Sequence, residues 1–220
     1  MKKRFLCALS ALILIFGISG CSEKNKTNPE NAEEFLISTI SGIGLCDFYS
    51  YSGEYVEDGS DELVSNIAAI RVKNTSDVPY QTLKLSLKVE DESYEFFITT
   101  ILPGDVVTVL EKNRKAFAGK GKYNAFDITE SSRFAKTPSV YEKKFKADIF
   151  DGIMNLTNTS GKNYENDVYV YYKTKDTEGY FGGITYRINF GPLKKGELSQ
   201  RNSSHLYSDA SEIVFITYGE

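Results

Sequence analysis

Two copies of one segment decide the fold: Ile70-Arg71-Val72-Lys73-Asn74-Thr75-Ser76 and Met154-Asn155-Leu156-Thr157-Asn158-Thr159-Ser160. In each copy an alternating run of apolar and polar residues ends in an Asn-Thr-Ser triplet, which is typical of a strand that enters a turn. A tyrosine follows each triplet at the same distance, Tyr80 in the first copy and Tyr164 in the second. The repeat predicts that one β-rich unit occurs twice in the chain.

The residues after each copy continue the β pattern. Leu83, Leu85, Leu87 and Val89 alternate with polar residues, a period of two that predicts a strand with one buried face. The further strands expected from such runs are 95–102, 106–110, 167–173, 184–190 and 212–218. Each copy also reaches a turn with glycine and an acid, at Pro103-Gly104-Asp105 and at Gly196-Glu197. Only residues 61–67 are interpreted as a short helical turn.

Short strands with turn signals at this spacing predict β-sandwiches. We therefore expect an all-β protein of two tandem β-sandwich domains, at residues 35–134 and 135–220. The tyrosines and phenylalanines, 15 and 14 in number, favour half-buried sheet surfaces.

The first residues have the order of an export signal. Lys2, Lys3 and Arg4 precede an apolar run that is shorter than the roughly 20 residues of a membrane-spanning helix. The segment Ile18-Ser19-Gly20-Cys21 then resembles the lipobox of bacterial lipoproteins. The resemblance implies a signal peptide at residues 1–20, cleavage before Cys21 and a diacylglyceryl group on its sulfur. An ordinary signal peptide with a chance cysteine is the alternative.

Residues 21–34 have little apolar content and are interpreted as the lipidated cysteine and a flexible tether. Cleavage would remove three of the 26 basic residues and leave 23 against 30 acidic ones, a formal charge of −7. Such a chain has no general attraction for nucleic acid. We therefore expect attachment through lipid to the extracytoplasmic face of the cell membrane, and no nucleic-acid partner.

A second resemblance concerns the repeated part. The order Val-x-Asn-Thr-Ser, then a long alternating strand, then Leu-Pro-Gly-Asp resembles the FxLyD-like, immunoglobulin-like domains of bacterial surface proteins. The segment Tyr180-Phe181-Gly182-Gly183-Ile184-Thr185-Tyr186 is similar to uncharacterised lipoproteins of Firmicutes. The resemblance implies an extracytoplasmic module and no catalytic residue.

The residue types that carry chemistry are sparse. His205 is the only histidine and is interpreted as a solvated loop residue, while Cys46, among apolar neighbours, is expected to be buried. The acidic stretch 57–62 lacks the spacing of a calcium loop and is interpreted as a solvated loop. We therefore expect no catalytic residue, no metal site and no cofactor.

Tyrosines in the second half form the strongest candidate binding surface. On a strand, Tyr169 and Tyr171 share one face, while Val168, Val170 and Tyr172 share the other. With Tyr180 and Tyr186 they could contact a protein or a glycan, although cross-strand packing that covers the sheet is the alternative. The function expected is a non-enzymatic binding module for a protein or a cell-wall component. The alternatives are a passive spacer or envelope subunit and, third, a hydrolase.

Overall fold

The computed structural model describes residues 35–39, 41–119 and 121–219, and all of its regular elements are strands. The all-β prediction is therefore confirmed for this part of the chain. The strands are β1 (Ile37–Ser38), β2 (Ile43–Tyr55), β3 (Glu62–Asn74), β4 (Tyr80–Val89), β5 (Glu92–Ile101), β6 (Val106–Leu110), β7 (Tyr123–Arg133), β8 (Phe145–Phe150), β9 (Ile153–Asn158), β10 (Tyr164–Thr174), β11 (Tyr180–Phe181), β12 (Tyr186–Leu193), β13 (Leu198–Asn202) and β14 (Ser211–Tyr218).

Strands β1 to β7 form an N-terminal lobe of two sheets. One sheet has the order β1-β2-β3-β6, and the other has the order β5-β4-β7. The apolar and polar residues of β4 alternate between its two faces as predicted. Leu83, Leu85 and Leu87 are buried, while Lys84 and Lys88 are exposed. These leucines share one apolar cluster with Ile43, Leu45, Ile70, Val72, Val107 and Val109 of the other sheet. Each fully buried leucine stabilises the lobe by about 1.5–3 kcal/mol.

Strands β8 to β10 and β12 to β14 form a C-terminal lobe on the same plan. Its sheets have the orders β13-β9-β8 and β12-β10-β14. Met154 and Leu156 of the first sheet pack against Val168, Val170 and Phe190 of the second. Each lobe thus packs two sheets face to face around its own core, and at least one sheet of each lobe has three strands. Their assignment as tandem immunoglobulin-like domains with a boundary at residue 134 stays a prediction.

The repeated triplet builds the same turn in both lobes. Asn74 is fully buried, and its amide donates to the carbonyl oxygens of Val78 and Ile101 at 2.8 and 3.3 Å. Its side-chain oxygen accepts from the backbone and hydroxyl of Ser76. Its backbone pairs with the Gly-acid turn, where the Gly104 nitrogen donates to the Asn74 carbonyl at 2.8 Å.

Asn158 repeats this arrangement in the C-terminal lobe. Its amide donates to Lys162, Leu193 and Lys194, and its oxygen accepts twice from Ser160. A buried side-chain amide is stable only where its donors and acceptors are satisfied, so each asparagine fixes the geometry of three chain segments at once.

The helical prediction for residues 61–67 is wrong. Residues 62–67 belong to β3, where Leu63 pairs with Glu54 and Ile67 pairs with Tyr51 in an antiparallel ladder. Apolar residues at 63, 64 and 67 match a helical period by chance. The long partner strand β2 pairs with residues 62–64 and 67, on either side of an irregularity at residues 65 and 66, and this pairing outweighs the local preference.

The connection between β10 and β12 is an extended arm, residues 176–185, that reaches the N-terminal lobe. Its strand β11 adds to the edge of β6 in parallel, with Tyr180 beside Val107 and Phe181 beside Thr108. The Tyr180 ring packs against the core of the N-terminal lobe. The described residues of both lobes accordingly belong to one compact unit.

Candidate functional site

The four tyrosines predicted as a binding surface lie in three different places. Tyr169 and Tyr171 are half-buried on the outer face of the β12-β10-β14 sheet, while the alternate residues of β10 are buried. Tyr180 lies in the arm, and its hydroxyl donates to Glu212 at 3.1 Å. Tyr186 stacks on Tyr172 and on the His205 ring. Only Tyr169 and Tyr171 therefore share a face, as expected from the period of the strand.

Tyr171 belongs to an aromatic stack on that outer face. Its ring lies parallel to Phe215 of β14, with centroids 4.1 Å apart. Phe134, which follows β7 in the segment between the lobes, meets the same phenylalanine edge-on at 5.5 Å. This packing covers the sheet, as in the alternative interpretation, and it also ties the inter-lobe segment to the C-terminal lobe.

The stack forms one wall of a groove between the lobes, with a volume of about 420 Å³. We call it the inter-lobe groove. The other wall is the outer face of β4 and β5, and the arm closes one side with Ile184 and Thr185. Its lining residues are Gln81, Thr82, Thr99, Thr100, Phe134, Tyr171, Ile184, Thr185, Arg187, Phe215 and Thr217.

Several polar groups of the groove have no protein partner among the described residues. Neither the Tyr171 hydroxyl nor the side chains of Gln81 and Thr217 make a hydrogen bond within this part of the chain. The Arg187 guanidinium lies over the Tyr169 ring at 4.7 Å and forms no ion pair with a described carboxylate. The groove therefore offers an amide, two hydroxyls and one positive charge beside an aromatic wall.

The arm fixes the groove by direct hydrogen bonds to β5. The Thr99 nitrogen donates to the Gly183 carbonyl at 2.8 Å, and the Thr185 nitrogen donates to the Thr99 hydroxyl at 2.6 Å. A Cβ on Gly183 would overlap the carbonyl oxygen of Phe97, and one on Gly182 would come within 2.8 Å of Val56. The Gly-Gly pair is thus required by close approach of the two lobes.

A buried pair of charged groups lies behind the arm. Glu57 is half-buried as a whole, but its carboxylate is enclosed and accepts from the backbone nitrogens of Leu110 and Gly183, each at 2.8 Å. Lys173 is fully buried, and its ammonium donates to the carbonyls of Gly183 and Ile184. Burial raises the pKa of Glu57 to about 7, against the N–H donors and the Lys173 charge. Burial lowers the pKa of Lys173 to about 8, although Glu57 and Asp105 favour its charged form.

Sequence reasoning missed this pair and misjudged the histidine. Glu57 was expected in a solvated acidic loop, yet it connects the two lobes. His205 does lie in a loop, but its ring stacks on Tyr186 at 4.8 Å and its Nδ1 lies 3.3 Å from the Asp61 carboxylate. Cys46 is half-buried rather than buried. These contacts join segments distant in sequence, and no local pattern indicates them.

A second pocket, of about 460 Å³, lies within the N-terminal lobe and is lined by Tyr55, Glu57, Asp58 and Arg114, among others. Arg114 already binds the carboxylates of Asp58 and Glu62 at 2.8 and 2.6 Å. The Tyr55 hydroxyl donates to the Glu111 and Lys112 carbonyls. Because these groups satisfy one another, the pocket is a weaker candidate for binding than the inter-lobe groove.

The predicted signal peptide, the lipidation site Cys21 and the tether lie outside the described residues. Within residues 35–39, 41–119 and 121–219, no helix has the length and apolar character needed to cross a membrane. No group of three or more potential metal ligands occurs in that part either. Neither a protein-family model, nor a curated protein, nor a solved structure matches this chain.

Proposed function

We propose that this protein is a lipoprotein, held on the extracytoplasmic face of the membrane through Cys21, that binds a cell-wall saccharide without transforming it. The observation that carries the binding role is the inter-lobe groove, with its unpartnered polar groups beside an aromatic wall. Hydroxyl-rich ligands need such neutral donors and acceptors, and their C–H surfaces pack on aromatic side chains. A carboxylate on the saccharide would pair with Arg187.

The lining of the groove supports binding over catalysis. It contains threonine, glutamine, arginine and aromatic residues, and none of the carboxylate, imidazole, thiol or amine groups that serve as general acids, bases or activated nucleophiles. A glycosidase needs two carboxyl groups across its cleft. The enclosed carboxylate of Glu57 lies behind the arm, where it accepts backbone hydrogen bonds.

The binding test uses the full chain in nanodiscs of zwitterionic lipid and the disaccharide of N-acetylglucosamine and N-acetylmuramic acid, measured by calorimetry. We expect Tyr171→Ala and Arg187→Met each to weaken binding about tenfold, or about 1.4 kcal/mol. The matched control is Tyr207→Ala, an exposed tyrosine outside the groove. Absence of binding to the wild-type chain, or equal losses in the control, would refute the role of the groove.

The anchor is tested separately by mass spectrometry of the membrane fraction. We expect an N-terminus at Cys21 with a thioether-linked diacylglyceryl group, and we expect Cys21→Ser to lack it. Two acyl chains anchor far more firmly than one, because each buried CH₂ contributes about 0.8 kcal/mol. An unmodified sulfur, or a retained leader, would contradict the proposed location.

A further inference from the structure

Three segments from both lobes meet at one surface of the protein. The loop 203–210 lies between the β2–β3 hairpin end, residues 54–63, and the β8–β9 hairpin, residues 147–153. His205 contacts Asp61 on one side, and the Gly152 nitrogen donates to the Ser208 hydroxyl at 2.5 Å on the other. We call the surface of these three segments the end patch.

The end patch exposes large apolar side chains. Leu63 is 83% exposed and Phe150 is 75% exposed, and Ile153 and Tyr207 are exposed as well. These are four of the seven large apolar side chains that are exposed in the described part of the chain. Scattered apolar residues are normal on a surface, but a concentration of them indicates an interaction site.

The charge around these side chains has one sign. The three segments contain no lysine or arginine. Besides the enclosed Glu57, they carry seven carboxylates: Glu54, Asp58, Asp61, Glu62, Asp148, Asp151 and Asp209. Arg114 neutralises two of them, and His205 lies against a third. Glu54, Asp151 and Asp209 are exposed and form no ion pair with a described cation.

The register of the strands connects the acids with the apolar side chains. Leu63 lies directly opposite Glu54 in the ladder, so both side chains share one face. Burial raises the pKa of the Tyr207 hydroxyl, and the charges of Asp61 and Glu54 raise it further, which is in keeping with a position close to both acids. Phe150 lies opposite Ile153, beside Asp151. The apolar groups are thus interleaved with unpaired acids.

From this juxtaposition we infer that the end patch docks a protein partner whose contact surface combines lysine or arginine with apolar side chains. The apolar groups supply contact area, and the acids select and orient a basic partner. A second copy that offered the same patch would bring like charges together, and so would a leaflet of anionic lipid. Both alternatives are therefore disfavoured by the charge of the patch.

The probe is a labelled nine-residue peptide, Lys-Leu-Lys-Phe-Lys-Leu-Lys-Phe-Lys, titrated against the full chain in zwitterionic nanodiscs, with empty nanodiscs subtracted. We expect the double variant Leu63→Ser, Phe150→Ser to bind at least tenfold more weakly. Neutralisation by Glu54→Gln, Asp151→Asn and Asp209→Asn should weaken binding by a similar factor and reduce its dependence on salt. All five positions are exposed, and urea unfolding of each variant checks that the fold is retained.

Peptide and protein controls separate the components of this inference. A peptide with glutamate for lysine should not bind, and one with serine for leucine and phenylalanine should bind at least tenfold more weakly. Tyr171→Ala, which affects the inter-lobe groove, should leave peptide binding unchanged. Equal binding of the glutamate peptide, or unchanged binding by the patch variants, would overturn the inference. So would loss of self-association, or of binding to anionic vesicles, in the double variant, because either would identify a different occupant.

Discussion

Substitution of Gly183 by alanine tests whether the arm holds the two lobes together. The added Cβ would overlap the backbone oxygen of Phe97 and would come within 3.0 Å of the Glu57 carboxylate. Backbone atoms cannot turn away as a side chain does, so the arm itself must move. Gly183 does not have a positive φ, so the strain expected from an added Cβ is steric alone.

The expected cost follows from the hydrogen bonds that meet at this residue. Displacement would break the bond from the Thr99 nitrogen, the bond from Thr185 to the Thr99 hydroxyl, and the bond from the Gly183 nitrogen to the Glu57 carboxylate. Neutral bonds contribute about 1 kcal/mol each and a bond to a charged group about 2 kcal/mol. We therefore expect Gly183→Ala to destabilise the junction by about 4 kcal/mol.

Urea unfolding, followed by far-ultraviolet circular dichroism and by tyrosine fluorescence, measures this effect. The wild-type chain should unfold in one transition, and Gly183→Ala should unfold in two, because the lobes keep their own cores but lose their connection. The matched control is Gly191→Ala, where φ is +72° and the space around the Cβ is open. Only backbone strain of about 1–2 kcal/mol applies there. A single transition at the wild-type midpoint in Gly183→Ala would refute the reasoning.

Two further predictions concern the hydroxyl groups of Tyr80 and Tyr164 and the ionisation of Glu57. Tyr80 donates its hydroxyl to the Ser41 carbonyl at 3.2 Å, whereas the equivalent Tyr164 hydroxyl is buried without a partner among the described residues. In urea unfolding we expect Tyr80→Phe to cost about 1 kcal/mol and Tyr164→Phe to be neutral or to stabilise by up to about 1 kcal/mol, and equal losses would contradict this. Because the folded-state pKa of Glu57 is raised from 4.5 to about 7, its contribution to stability is complete below pH 4.5 and is lost as the pH rises through 7. The wild-type chain should therefore lose stability relative to Glu57→Gln across that window, and a constant difference would oppose the prediction.

The sequence was informative where structure depends on local pattern. The period of two in β4 and β10 predicted both the strands and their buried faces, since side chains alternate across a pleated sheet. The repeated Asn-Thr-Ser triplet predicted equivalent turns, because a buried asparagine can satisfy only a narrow set of backbone geometries.

Contacts between distant segments were not predictable in this way. Strand β11 has only two residues, and its partner β6 lies about 70 residues earlier in the chain. Periodicity cannot reveal so short a pairing. Glu57 was not predictable either, because it lies among acidic neighbours in the sequence. Its enclosure depends on the arm, whose Gly183 nitrogen donates to its carboxylate.

The inter-lobe groove depends on one difference between the two copies. In the N-terminal lobe, β4 and β5 are joined by the tight turn at residues 90–91, whereas the corresponding strands of the C-terminal lobe, β10 and β12, are joined by the long connection that contains the arm. That connection supplies β11, the Gly182-Gly183 approach and two lining residues of the groove. If a tight turn joined β10 to β12 in the C-terminal lobe, the groove would lack the side that faces Thr99. Lengthening one loop therefore accounts for both the joining of the lobes and the concave surface on which the proposed binding function rests.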